Sequence, residues 1–92
     1  MTGAEVCQKA VSLIDGDRAA NHGDKAKNLS NIATLWNAYL SIRRDQQAPL
    51  GPQDVCEMMS LLKKARKQSG KHNPDDYVDD VGYVAIGAEL AG

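Results

Sequence analysis

Phenylalanine is missing from this chain, tryptophan occurs once and aromatic residues make up 4% of it, so Leu, Ile, Val, Met and Ala must supply most of any core. A core that light in aromatics suits packed helices. Two cysteines, Cys7 and Cys56, are too few for the dense disulfide framework of a small secreted scaffold. Net charge is nearly absent too: 11 basic residues against 12 acidic leave -1. That speaks against non-specific nucleic-acid binding, which needs many phosphate contacts. No apolar run approaches the roughly 18 residues of a membrane span, so no membrane partner is expected. The opening MTGAEVCQKAVSLIDGDR carries Glu5 and a single lysine before Asp15, unlike a signal peptide, and a cytoplasmic location is expected.

What is present fits one domain over residues 1–92, with no room for a cofactor domain beside a substrate domain. A domain of this size buries only about 60% of its unfolded surface, so oligomerisation is the expected route to stability. Apolar periodicity predicts four helices and no strand. The first covers about residues 2–14, with Val6, Ala10, Leu13 and Ile14 as a stripe, and stops at Asp15-Gly16-Asp17. The second covers 24–43, with Asp24 as cap and Leu29, Ile32, Ala33, Trp36, Tyr39 and Leu40 as its apolar positions. After a linker holding Pro49, Gly51 and Pro52, the third covers 53–68, with Val55, Met58, Met59, Leu62 and Ala65 inward. Asn73 and Pro74 then cap and open the fourth, 75–91, whose early aspartates suit a helix N-terminus. The short turn between the third and fourth makes them antiparallel neighbours. The architecture is all-α and four-helix bundle-like, and another subunit would most simply cover an exposed apolar side of the second helix.

Charge segregates sharply near the third and fourth helices. Five basic residues and no acid lie between Lys63 and Lys71, and four aspartates and no base lie between Asp75 and Asp80. At 100° per residue, Asp76, Asp79 and Tyr83 fall within about 60° of one face, and Val81, Val84, Ala85 and Ala88 lie opposite as the packing side. Asp54 and Glu57, three apart, share a face of the third helix. Two such pairs on antiparallel helices form a set of oxygen ligands suited to Mg2+, which keeps waters and holds substrate phosphates. The competing reading is solvated acids with helix-end roles. Arg66 lies beside the apolar stripe and must snorkel or pair, with Asp79 or Asp80 the natural partner. Lys63 or Arg66 would otherwise neutralise a phosphate, and Lys64 shares the Asp54–Glu57 side. Arg18, His22, Lys25 and Asn28 form a second candidate anion contact at the start of the second helix. No P-loop pattern accompanies them. Neither histidine has the spacing of a zinc site. Trp36 reads as a core or subunit anchor, whereas Tyr83 has the better claim to stack on a base.

The run Asp17-Arg18, His22-Gly23-Asp24, Asn28, Ile32-Ala33, Leu35-Trp36, then Asp54-Val55, Met58-Met59, Leu62-Lys63, Arg66, then Asp76, Asp79 and Gly82-Tyr83 resembles small all-helical proteins of bacteriophages and prophages. These in turn resemble the MazG-like nucleotide pyrophosphohydrolases, a link that rests mainly on the third and fourth helices. The resemblance implies an oligomer, dimer or tetramer, in which E-x-x-E and E-x-x-D motifs bind Mg2+ and a nucleoside triphosphate is split to monophosphate and pyrophosphate. Carried over by motif, Asp54 and Glu57 stand for the first pair, Asp76 and Asp79 for the second, and Lys63 or Arg66 for a phosphate-contacting base. Two of the four acids, Asp54 and Asp76, are Asp where the motifs have Glu, one methylene shorter.

The expected function is therefore an Mg2+-dependent pyrophosphohydrolase acting on a (d)NTP or modified nucleotide. Asp54, Glu57 and Lys63 would be catalytic, Asp54, Glu57, Asp76 and Asp79 would hold the metal, and Arg18, His22, Lys25, Asn28, Lys64, Arg66 and Tyr83 would hold substrate. The alternative is a non-catalytic phage protein that binds a nucleotide or engages a host protein, in the host cytoplasm.

Overall fold

A computed structural model describes residues 1–15 and 24–92. Among them are four helices: α1, Gly3–Asp15; α2, Lys25–Ile42; α3, Pro52–Arg66; and α4, Pro74–Ala91. The helix starts are set by local chemistry. The Asp24 side chain accepts from the Lys27 N–H at 3.1 Å and caps α2. Asn73 Oδ1 accepts from the Asp75 N–H at 3.0 Å, and Pro74 supplies the first turn of α4. Pro52 does the same for α3, where Asp54 reaches back to accept from the Gly51 N–H at 2.8 Å. Gly70 in the α3–α4 turn has φ 65°, a left-handed conformation that favours glycine.

The arrangement is four-helical and bundle-like, with α3 at its centre. It packs most extensively on α4 and next on α2. Arg66 pairs with Asp76, Lys63 with Asp79, and Cys56 lies under Gly87, so α3 and α4 run antiparallel. A Cβ on Gly87 would come 3.3 Å from Cys56 Cβ, and the close approach of the two backbones there depends on its absence. On the other side, the Trp36 indole N–H donates to the Met58 carbonyl at 2.6 Å and fixes α2 against α3. Ile32 is the buried apolar residue of α2; Leu35, Trp36, Tyr39 and Leu40 are half-buried, and Leu29 and Ala33 are exposed.

Two expectations from periodicity are corrected. The packing side of α4 is not Val81, Val84, Ala85 and Ala88, all of which are exposed. It is Asp76, Asp80 and Gly87, all buried. The reason is complementarity: α3 presents lysine, arginine and serine where α4 presents its aspartates, and a buried charge is tolerated once it is paired and hydrogen-bonded. On α3, Val55 is exposed while Cys56, Ser60 and Ala65 are buried. As a result, the buried side chains among the described residues are as often polar (Ser60, Asp76, Asp80) as apolar (Ile32, Cys56, Ala65).

Helix α1 stands apart. Its apolar face, including Val6, Leu13 and Ile14, is exposed, none of its residues is buried, and it has no extensive contact with another of the described helices.

Candidate functional site

Two polar constellations flank α3, one at each end. The first is built around Asp54 in the first turn of the helix. Its Oδ1 accepts from the Tyr39 hydroxyl at 2.6 Å and lies 3.3 Å from Arg43 Nε, while Oδ2 accepts from the Gly51 N–H. The Gly51 N–H bond, then the Tyr39 bond, hold the Asp54 carboxyl below the usual aspartate range, against the effect of burial and with help from Arg43. Burial, followed by the bond to this carboxylate, pushes the Tyr39 phenol up to about 12. Arg43 also donates to the Pro49 carbonyl at 3.4 Å, tying the linker to α3. These groups line a cleft of about 520 Å³, with Arg44, Gln53 and Glu57 on its walls and Gly87 and Ala91 of α4 closing one side. Arg44 has no ion pair among the described residues.

The second constellation is the buried contact between the end of α3 and the start of α4. Asp80 accepts from Ser60 through Oδ1, from Lys67 at 2.7 Å and from Lys64 at 3.1 Å. Burial disfavours its charge, but the bonds from Lys67, Ser60 and Lys64 outweigh that and hold its pKa at about 2. Asp76 lies 3.3 Å from Arg66 Nε, and Asp79 lies 2.9 Å from Lys63 Nζ. Lys67 also sits 4.3 Å over the Tyr77 ring, and His72 lies 5.9 Å from the same ring. Chemically this is a ladder of ion pairs that fixes how one helix slides along the other.

The structure brings Asp54 and Glu57 to one cleft, and Asp79 and Tyr83 to another groove lined by Val78, Gly82 and Ile86. It does not bring the four acids together. Antiparallel packing sets Asp54–Glu57 beside Gly87 and Asp76–Asp79 beside Lys63 and Arg66, roughly 9 Å or more apart along α3 by helical rise. Among the described residues, no group of three or more His, Cys, Asp or Glu side chains is placed to hold a metal ion. Lys63, Lys64 and Arg66 each face an aspartate of α4. Lys25 and Asn28 occupy the first turn of α2, where Asn28 Oδ1 is enclosed without a hydrogen-bond partner among the described residues. Arg18 and His22 lie outside the described residues.

Sequence reasoning missed Tyr39, Arg43 and Arg44 as cleft residues and Ser60 and Lys67 as parts of the buried network; Asp79 or Asp80 was the expected partner of Arg66, which instead meets Asp76, while Asp80 takes Ser60, Lys64 and Lys67.

Residues 5–91 match the family described as Domain of unknown function (DUF6378). The chain belongs to that family. Two similar proteins come from phages. The Gene 55 protein of Mycobacterium phage L5 is 39% identical over 77 residues, covering 84% of this chain and 46% of that protein. The Gene 55 protein of Mycobacterium phage D29 is 31% identical over 79 residues, covering 86% of this chain and 48% of that protein. The chain thus spans about half the length of the curated relatives it matches. No solved structure matches the DUF6378 chain. The likeness to small phage proteins expected from the sequence is found, and among the described residues no helix is long and apolar enough to cross a membrane.

Proposed function

We propose that the protein is a non-catalytic interaction protein of a phage, working through helix surfaces that engage another protein, a host protein in the first instance. One observation carries this reading: the apolar face of α1 and the outer face of α4 are uncovered, while Asp54, Asp76, Asp79, Lys63, Lys64 and Arg66 are committed to internal partners. A phosphate-splitting site needs carboxylates free to hold metal and position water. Asp54 serves a helix cap, a tyrosine and an arginine, and Asp76 and Asp79 serve Arg66 and Lys63. This weighs towards binding and away from the Mg2+-dependent pyrophosphohydrolase.

The test is retention of a specific host protein by the immobilised wild-type chain. Retention that is lost in Leu13→Lys and kept in Asp79→Ala supports the reading. Magnesium-dependent release of pyrophosphate from any member of a nucleotide panel overturns it. The metal reading carries its own signature, with Asp79→Ala weakening Mg2+ binding far more than Asp75→Ala.

A second reading is favoured by the Tyr39–Arg43–Arg44–Glu57 cleft, whose size suits a nucleotide-sized ligand and in which Arg44 supplies a cation without an ion pair among the described residues. In that case the chain binds a nucleotide without turning it over. Calorimetric binding that disappears in Arg44→Ala, without product formation, would select it.

A further inference from the structure

We infer that the cleft between the end of α2, the start of α3 and the end of α4 receives a basic side chain, arginine or lysine, of the protein that this chain engages. This deepens the reading above and rests on it in drawing that side chain from a protein. The cavity, about 520 Å³, has the size of a ligand pocket and is far larger than a single ion needs. Its charges are the first guide to an occupant. Three carboxylates, Asp45, Asp54 and Glu57, line it against two guanidinium groups, Arg43 and Arg44. Asp54 and Arg43 neutralise one another at 3.3 Å. Asp45 accepts from the Gln47 and Ala48 N–H groups at 3.0 and 3.2 Å, so its own turn holds it.

Glu57 is the acid left over. It is exposed and has no hydrogen bond or ion pair among the described residues. Its Oε1 lies 3.9 Å from the place that a Cβ on Gly87 would take, which sets the carboxylate against α4. The last turn of α4 reaches the cleft at Ala91 and contains no basic residue. The partial negative charge of that carbonyl end therefore adds to the charge of Glu57. Tyr39 responds to the same field. Burial, the bond to Asp54, and then the charges of Asp54 and Glu57 push its phenol up to about 12, against the effect of Arg43.

The apolar part of the wall narrows the choice of cation. Among the described residues no three acids, histidines or cysteines converge to hold a metal ion. Beside Glu57 the cleft offers Ile42, 78% exposed, and Ala91. A long basic side chain matches both halves, laying its methylene stem on apolar surface while its charged head stays with the carboxylate. A triphosphate chain matches less well, because the lining carries one more negative charge than positive. Arg44 sets the direction of entry: it repels the incoming head group and leaves it the Glu57 side.

Titration of the full chain with acetyl-arginine amide, followed through backbone amide NMR shifts, tests this. Saturating shifts at Ile42, Glu57 and Ala91 are expected at millimolar concentration. Binding should weaken about fivefold in Glu57→Gln, an exposed site that the fold does not use, and tighten about twofold in Arg44→Gln. No saturation at the cleft by tens of millimolar overturns the inference, as does a Glu57→Gln chain that binds as tightly as wild type. Tighter binding of pyrophosphate than of acetyl-arginine amide also overturns it and hands the cleft to phosphate. Host-protein retention separates this inference from the reading it rests on. Retention lost in both Leu13→Lys and Glu57→Lys supports both. Retention lost in Leu13→Lys but kept in Glu57→Lys overturns the cleft and leaves the interaction reading standing. Acetyl-arginine amide bound at the cleft, with no host protein retained, upholds the cleft's preference and overturns that reading.

Discussion

The two faces of α4 invert the usual order of a globular protein. Its inner face buries aspartates against lysine, arginine and serine, and its outer face leaves valines in water. The difference teaches what each face specifies. Charge pairs are directional, so the inner face fixes the register of α4 along α3: one step along the helix would part Asp80 from Ser60, Lys64 and Lys67. Apolar contact is non-directional and scales with area, so the outer face supplies adhesion once a partner arrives.

The sharpest way to break the comparison is at Asp80. Asp80→Ala leaves Lys67 and Ser60 without their acceptor, and should lower folding stability by about 3 kcal/mol in urea denaturation. A loss below half a kcal/mol would mean that the inner face is held by something other than the ladder. Acid should reproduce part of this effect. The carboxyl is depressed to about 2 from an ordinary 3.8, so its contribution is full above roughly pH 4 and disappears as pH falls through 2. Asp80→Asn should flatten that part of the stability profile.

Gly87→Leu probes the same face where it has no charge. The new side chain meets Cys56 and must prise α3 from α4, at a cost of about 2 kcal/mol in thermal or urea unfolding. Smallest of all should be Lys63→Ala. Its partner Asp79 is half exposed, and such a pair contributes about 0–1 kcal/mol. A Lys63 effect as large as that of Asp80 would place the whole ladder, rather than its buried rung, in control of register.

What could be read from the sequence followed the range of each interaction. Asp24, Asn73 and Pro74 act on their own helix termini, and those starts were legible from three or four residues of sequence. The antiparallel α3–α4 pair followed from a short turn. The inward face of α4 was not legible, because apolar residues surround the helix and periodicity alone does not rank its sides. That choice depended on Ser60, Lys64 and Lys67, about 13 to 20 residues away in sequence. Tyr39 and Arg43 were missed for the same reason: they reach Asp54 only after α2 has docked on α3. For the candidate site, sequence spacing put Asp54 with Glu57 and Asp79 with Tyr83. It carried no information that antiparallel packing would separate the two sets.

Cys56 and Cys7 give the molecule an internal clock. Cys56 lies beneath Gly87 and is buried, while Cys7 on α1 is exposed. A thiol reagent therefore meets Cys7 at the rate of an open sulfhydryl, but reaches Cys56 only during the intervals when α3 and α4 separate. The ratio of the two labelling rates in a single sample measures how often the hairpin opens while the rest of the chain stays folded.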